Sequence, residues 1–133
     1  MNKILILVCV AALAGCATGV KTKTELVAGA QVASRTGPVC LLAGSLPGEV
    51  PAVRIGRIKA TKGTYGEREN LMLPIANEAR RVGADAVVEL QASERIKGPL
   101  PWRVTAPTGD GFAVKFDAAS APFDCEAHGG RLL

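Results

Sequence analysis

The sequence predicts an α+β fold in which one helix packs on one face of an antiparallel sheet of about four to five strands, in the order β-β-α-β-β-β. Three observations carry that reading. An apolar stripe recurs at helical spacing between Leu71 and Val82, polar and apolar residues alternate from Ala86 to Ser93, and two aromatic-containing apolar runs follow at 102–106 and 112–116. No repeat, coiled coil or second domain is visible, and 133 residues suit one domain.

In chain order, Val39 to Leu42 is a short apolar run that reads as a strand, and Leu46, Pro47, Gly48, Glu49, Val50 and Pro51 read as a turn. Ala52 to Lys59 is the next strand. Val53 and Ile55 share one phase and Ile58 the other, so a bulge near Gly56 is needed to restore register. Thr61 to Gly66 is a loop. From Leu71 to Val82, Met72, Ile75, Ala76, Ala79 and Val82 form the buried stripe, and Asn77, Glu78, Arg80 and Arg81 lie opposite. Pro74 belongs in a first turn, which makes the stretch before it irregular, and Gly83 ends the helix. Ala86, Val88, Leu90 and Ala92 then face the core. Trp102–Ala106 and Phe112–Phe116 form two strands joined at Thr108, Gly109, Asp110 and Gly111, a hairpin signal, with Trp102, Val104, Phe112, Val114 and Phe116 inward.

The amino terminus has a different character. Met1, Asn2 and Lys3 make a positive start, Ile4 to Ala14 is unbroken apolar residues too few to span a bilayer, and Gly15 precedes Cys16, the pattern of a cleaved export signal over 1–15. Leu13, Ala14, Gly15 and Cys16 resemble the lipobox of bacterial lipoproteins, which implies acylation of the Cys16 thiol and a membrane-lipid partner. Ala17, in place of Asp, implies the outer membrane, facing the periplasm. Residues 16–38, rich in Ala, Thr, Gly, Val and Lys, read as the lipidated Cys and a tether with a short ordered piece near Leu26 to Val32, leaving 39–133 as the domain.

Of the four Cys, Cys9 leaves with the signal and Cys16 is acylated, so Cys40 and Cys125 remain in an oxidising compartment as the expected disulfide. Closing a loop of that length stabilises by about 4–5 kcal/mol in the chain-entropy account. The alternative is a metal or redox site built from Cys40, Cys125, Asp124, Glu126 and His128, although redox pairs lie close in sequence and a tetrahedral site favours more His or paired Cys.

The formal net charge of +4 is mild, and one Trp, one Tyr and three Phe are scattered, so the dense basic stripe with stacking aromatics of a nucleic-acid binder is missing. Arg54, Arg57, Lys59 and Lys62 cluster, and Arg54, Arg57 and Lys59 together with Arg80, Arg81 and Trp102 make a candidate interaction surface; the plain alternative is a solvated face. No nucleophile has a base beside it, no Gly motif cradles phosphate, and Glu67, Glu69, Asp110 and Asp117 read as solvated carboxylates. The expectation is a protein without cofactor, metal or catalysis.

Ala79, Gly83, Ala84, Asp85, Ala86, Val87 and Val88, in the pattern A-x-x-x-G-A-D-A-V-V, resemble the helix-to-strand turn of the YbjQ-like small-domain family. Ala113, Val114 and Lys115 are similar to that family's final G-x-A-V-K strand. The resemblance covers about Val53 to Phe116 and extends to the RcsF-like envelope-stress sensor lipoproteins, which have a longer Pro-rich tether and four Cys in the folded domain. It implies a lipid-anchored module that contacts another envelope protein, with homo-oligomers a further possibility. The other readings are a small-ligand or metal binder and an enzyme acting on envelope glycans or lipids.

Feeding cells a radioactive fatty acid is expected to label the protein, and Cys16→Ser is expected to abolish the label and leave the export segment attached. Label retained by Cys16→Ser would rule out acylation at that residue.

Overall fold

Helix α1 (Met72–Val82) forms along the predicted stripe and buries Ile75, Ala76, Ala79 and Val82. A 3-10 turn, Arg68–Leu71, leads into it, Pro74 sits in the first helical turn where no N–H is missed, and Gly83 closes it in the left-handed region at φ 83°. The computed structural model describes residues 19–63, 65–117 and 123–133, with only the backbone of Lys97. Residues 1–15, read from sequence as an export segment, and Cys16 lie outside these. Among the described residues no helix is long and apolar enough to cross a membrane.

Six strands make one sheet: β1 (Val20–Leu26), β2 (Cys40–Leu41), β3 (Ala52–Lys62), β4 (Ala86–Lys97), β5 (Val104–Phe116) and β6 (Arg131–Leu132). Their spatial order is β1-β3-β5-β4-β2-β6. The helix-side core joins Ile55, Ile58 and Ala60 of β3, Val87 of β4 and Ala113 of β5 to the helical stripe, with Leu71 and Val39. A second cluster on the opposite face gathers Cys40, Leu42, Ala86, Val88, Val114 and Cys125, with Phe112, Phe116 and Phe123 packed against it. Within it Cys40 and Cys125, 85 positions apart, form a disulfide with Cα atoms 5.7 Å apart.

The predicted bulge is present: pairing of β3 with β5 shifts between Arg54 and Gly56, and Ile55 and Ile58 thereby reach the same side. A second bulge, not foreseen, lies in β4 between Val88 and Gln91, with Glu89 at φ 51°. It sends Val88 to the disulfide side and Leu90 to the helix side, so the two do not share a face. The Glu89 and Leu90 N–H groups donate to the carbonyls of Gly44 and Leu42 at 2.9 and 3.0 Å, which satisfies the donors that the bulge removes from the ladder.

Several expectations are corrected. The sheet is mixed, because β2 runs parallel to β4 while the other neighbours are antiparallel. The chain leaves β2, lays down β3, and returns through α1, and a helical crossover delivers the next strand in the original direction. Residues 20–26, read as tether, are a sheet strand in which Val20, Thr22 and Thr24 are half-buried and Lys21, Lys23 and Glu25 are exposed. The short β6 was not foreseen, and the last two predicted strands are one. β5 runs straight through Gly109, Asp110 and Gly111, which pair with β3 on one side, and Gly109 and Asp110 also pair with β4. These glycines serve close approach rather than a turn: a Cβ on Gly111 would lie 2.6 Å from Val87 Cγ1, and one on Gly109 3.3 Å from Leu71 Cδ1. The real hairpin lies at 98–103, which leaves Trp102 76% exposed instead of in the core.

Gly111→Ala is expected to lower stability by about 1–3 kcal/mol through overpacking against Val87. Gly48→Ala, which meets nothing within 4 Å, is expected to leave the denaturation midpoint unchanged. Equal midpoints for the two variants would contradict the straight path of β5.

Candidate functional site

The helix covers one face of the sheet, and the disulfide cluster covers only part of the other. What stays open is the opposite face of β1, β3, β5 and β4 near their middle, a shallow groove of about 360 Å³ lined by Arg57, Lys59, Thr61, Gln91, Ser93 and Thr108, with Asp110 at its floor. Strand alternation places Lys21, Lys23 and Glu25 of β1 on the same side, since they pair with Thr61, Lys59 and Arg57.

Cross-strand ion pairs organise this face. Arg57 Nε donates to Asp110 Oδ2 at 2.7 Å and its Nη2 contacts the same oxygen. Lys59 Nζ donates to Glu25 Oε1 at 3.0 Å, and this hydrogen bond and charge hold the Glu25 carboxyl below its ordinary range. Arg54 donates to Glu89 Oε2 at 2.7 Å while its guanidinium carbon lies 4.1 Å from the centre of the Phe112 ring. Lys21 and Lys23 make no salt bridge among the described residues, so cations exceed carboxylates across the groove.

The six side chains proposed from sequence as one surface are therefore dispersed. Arg54, Arg57 and Lys59 border the open face. Arg80 and Arg81 sit on α1 across the sheet, and Trp102 stands at the hairpin tip. Arg80 holds other segments in place: it donates to Gly37 O at 2.7 Å, to Asn77 Oδ1 at 2.8 Å and to Leu133 O. Arg81 donates to Glu78 at 2.9 and 2.7 Å, and Thr24 Oγ1 donates to the same carboxylate at 2.6 Å. Glu78, placed on the solvent side by the helical pattern, is buried under β1. Packing of β1 on the helix reversed its environment.

Four of the five donors considered for a metal have other partners. Cys40 and Cys125 are bonded to each other, Asp124 Oδ1 accepts from Ala127 N at 3.1 Å, and the His128 ring stacks on Phe123 at 4.7 Å. Among the described residues no group of three or more His, Cys, Asp or Glu side chains is arranged to hold a metal ion. Of the carboxylates, Glu69 pairs with Arg131 and Asp110 with Arg57.

Sequence reasoning missed two polar hubs. Asp85 accepts from Arg35 Nη1 and from the Phe116 N–H, both at 2.8 Å, and so joins residues before β2 to the end of β5. Glu89 receives Arg54 at the β4 bulge. The G-A-D-A motif marks Asp85, but nothing local points to Arg35. No family model matches the chain, and no curated protein or solved structure matches it either.

The Arg81 hydrogen bonds are the main cause that holds the Glu78 carboxyl below its ordinary value of 4.5; burial opposes them, and Thr24 reinforces them. A folded pKa below the unfolded one contributes stability above the unfolded value and loses it as pH falls through the folded value. Stability is therefore expected to decline as acid protonates Glu78, and Glu78→Gln is expected to flatten that decline in denaturation midpoints measured across the acidic range. Parallel pH profiles for both proteins would count against the assignment.

Proposed function

We propose that the chain is a lipid-anchored cell-envelope protein, held at the outer membrane facing the periplasm through acylated Cys16, and that it works as a non-catalytic module contacting another envelope protein. The observation that carries this reading is the open sheet face, where a flat row of cations, hydroxyls and amides lies exposed on a rigid sheet. Flat, polar, preorganised strands suit protein contact better than capture of a small molecule, which calls for a concave apolar pocket. The groove has no acid and base converging on a common point.

The partner's chemistry follows from the charge. Lys21 and Lys23 extend the row beyond the Arg57–Asp110 and Lys59–Glu25 pairs, so the face fits an acidic protein surface, with the internal pairs fixing geometry. The disulfide supports this reading because it ties β2 to the carboxy-terminal segment and holds the neighbouring half of the face covered. Reporting of envelope state by such a contact is the role that the sensor-lipoprotein resemblance suggests.

Photo-crosslinkers at Thr61 and Ser93, which line the open groove, are expected to capture one recurrent envelope protein in intact cells, and a probe at Arg81 on the helix is expected to capture none. Charge reversal at Lys21 and Lys23 is expected to reduce the yield. Adducts confined to lipid, glycan or the protein itself would overturn the proposal.

A further inference from the structure

The chain enters β1 at Val20, opposite Lys62 at the end of β3. At this same end β4 and β5 continue past their neighbour: β3 stops pairing with β5 at Thr108, while β4 and β5 stay paired out to Lys97 and Val104. A two-stranded arm therefore projects from the edge of the molecule where its amino-terminal strand begins. The four most exposed large apolar residues among those described are Trp102 (76%), Leu100 (71%), Tyr65 (70%) and Ile96 (68%). Three belong to the arm, and the fourth adjoins it, because Gly66 N donates to Thr105 O at 3.4 Å. Leu73, 54% exposed, borders the groove beside Val20 at this end. A second group, Val53 (65%) with Leu26 and Val27 at the far end of β1, lies at the opposite end of the sheet from the arm.

Only Ala17, Thr18 and Gly19 separate Cys16 from Val20. Fully extended, that connection spans about 14 Å at ~3.5 Å per residue, so an acyl chain on Cys16 holds this end against the bilayer and cannot let the domain drift away. The paired part of the arm extends beyond the start of β1 by roughly 10 Å at ~3.4 Å per strand residue, and the 98–103 hairpin carries Leu100 and Trp102 beyond it, toward the reach of the connection. Anchor and arm tip reach one plane. Arg95 lies on the arm, Arg103 in its hairpin and Lys62 at its base, against Glu94 alone among the carboxylates of β4 here. An indole beside branched aliphatics within a mostly cationic rim suits the headgroup boundary of an anionic bilayer, where a Trp places its ring and Lys and Arg meet phosphates.

We propose that the β4–β5 arm is a membrane-docking element, with Trp102, Leu100 and Ile96 entering the headgroup layer of the bilayer that holds acylated Cys16. The domain then stands with its β1 entry down and its open face directed sideways. This orientation rests on the lipid-anchor reading; the insertion of the arm is testable apart from it.

Trp102 is the chain's one tryptophan, so its emission reports the arm alone. The acylated full-length protein is reconstituted in phosphatidylethanolamine–phosphatidylglycerol vesicles whose lipids are brominated near the headgroup end of the acyl chain. Quenched and blue-shifted emission is expected, with loss of quenching in the double variant Ile96→Ser, Leu100→Ser, whose exposed side chains leave the fold untouched. Protein of residues 16–133 carrying Cys16→Ser, which lacks both the acyl chains and the export segment, is expected with excess vesicles to show the same quenching, stronger with phosphatidylglycerol than with phosphatidylcholine alone. That result without fatty-acid labelling in cells would sustain docking while removing the anchor. An acylated protein whose Trp102 stays open to an aqueous quencher would overturn docking while sparing the anchor. Trp102 shielded in native envelopes but not in vesicles would likewise overturn it, in favour of a protein that covers the arm.

Discussion

Everything in this fold depends on β5 passing through the sheet without a break. It pairs with β3 on one side and β4 on the other, and residues 109 and 111 carry no side chain where Leu71 and Val87 press closest. Were the chain to turn at Asp110, β3 and β4 would lose their common neighbour, the helix would lose its flat seat, and no arm would extend past the sheet. Absence of two methyl groups thus supports both the helix-side core and the reach of the hairpin.

That same site shows why part of the architecture was legible in the sequence and part was not. Helix α1 was readable because its apolar stripe, Pro74 and Gly83 act locally and agree with one another. The β3 bulge was readable because Ile55 and Ile58 cannot otherwise share a face. Asp110–Gly111 carries the local signature of a hairpin, yet pairing on both sides decides its conformation, and pairing partners are not written locally. β1 escaped notice because Thr22 and Thr24 do the work of apolar residues: they face inward because Glu78 supplies an acceptor beneath them, 54 positions away from Thr24. The parallel β2 and the two-residue β6 lack length enough to show any period.

The candidate surface divides along the same line. That Arg54, Arg57 and Lys59 lie close together is visible in one strand, and they do border one face. Placing Arg80 and Arg81 with them required knowing which layer the helix occupies, and the structure puts them on the other side. Their partners also differ in kind. Arg57 and Lys59 meet carboxylates on neighbouring strands in the open, where such pairs contribute little to stability and chiefly set position. Arg80 and Arg81 instead bind carbonyls and a buried carboxylate, and these contacts hold residues 24, 37 and 133 to the helix.

The Cys40–Cys125 bond has a mechanical meaning as well. It closes a covalent ring around β2, β3, α1, β4 and β5, and β1 lies outside that ring. Any pull delivered through the residues ahead of Val20 loads β1 first, and β1 is held by its ladder to β3, by Thr24 on Glu78, and behind it by Arg35 on Asp85. Tension can therefore strip one edge strand while the ring keeps the remainder from unravelling. The molecule is built as a tough ring with a sacrificial edge, and the edge is the strand nearest the amino terminus.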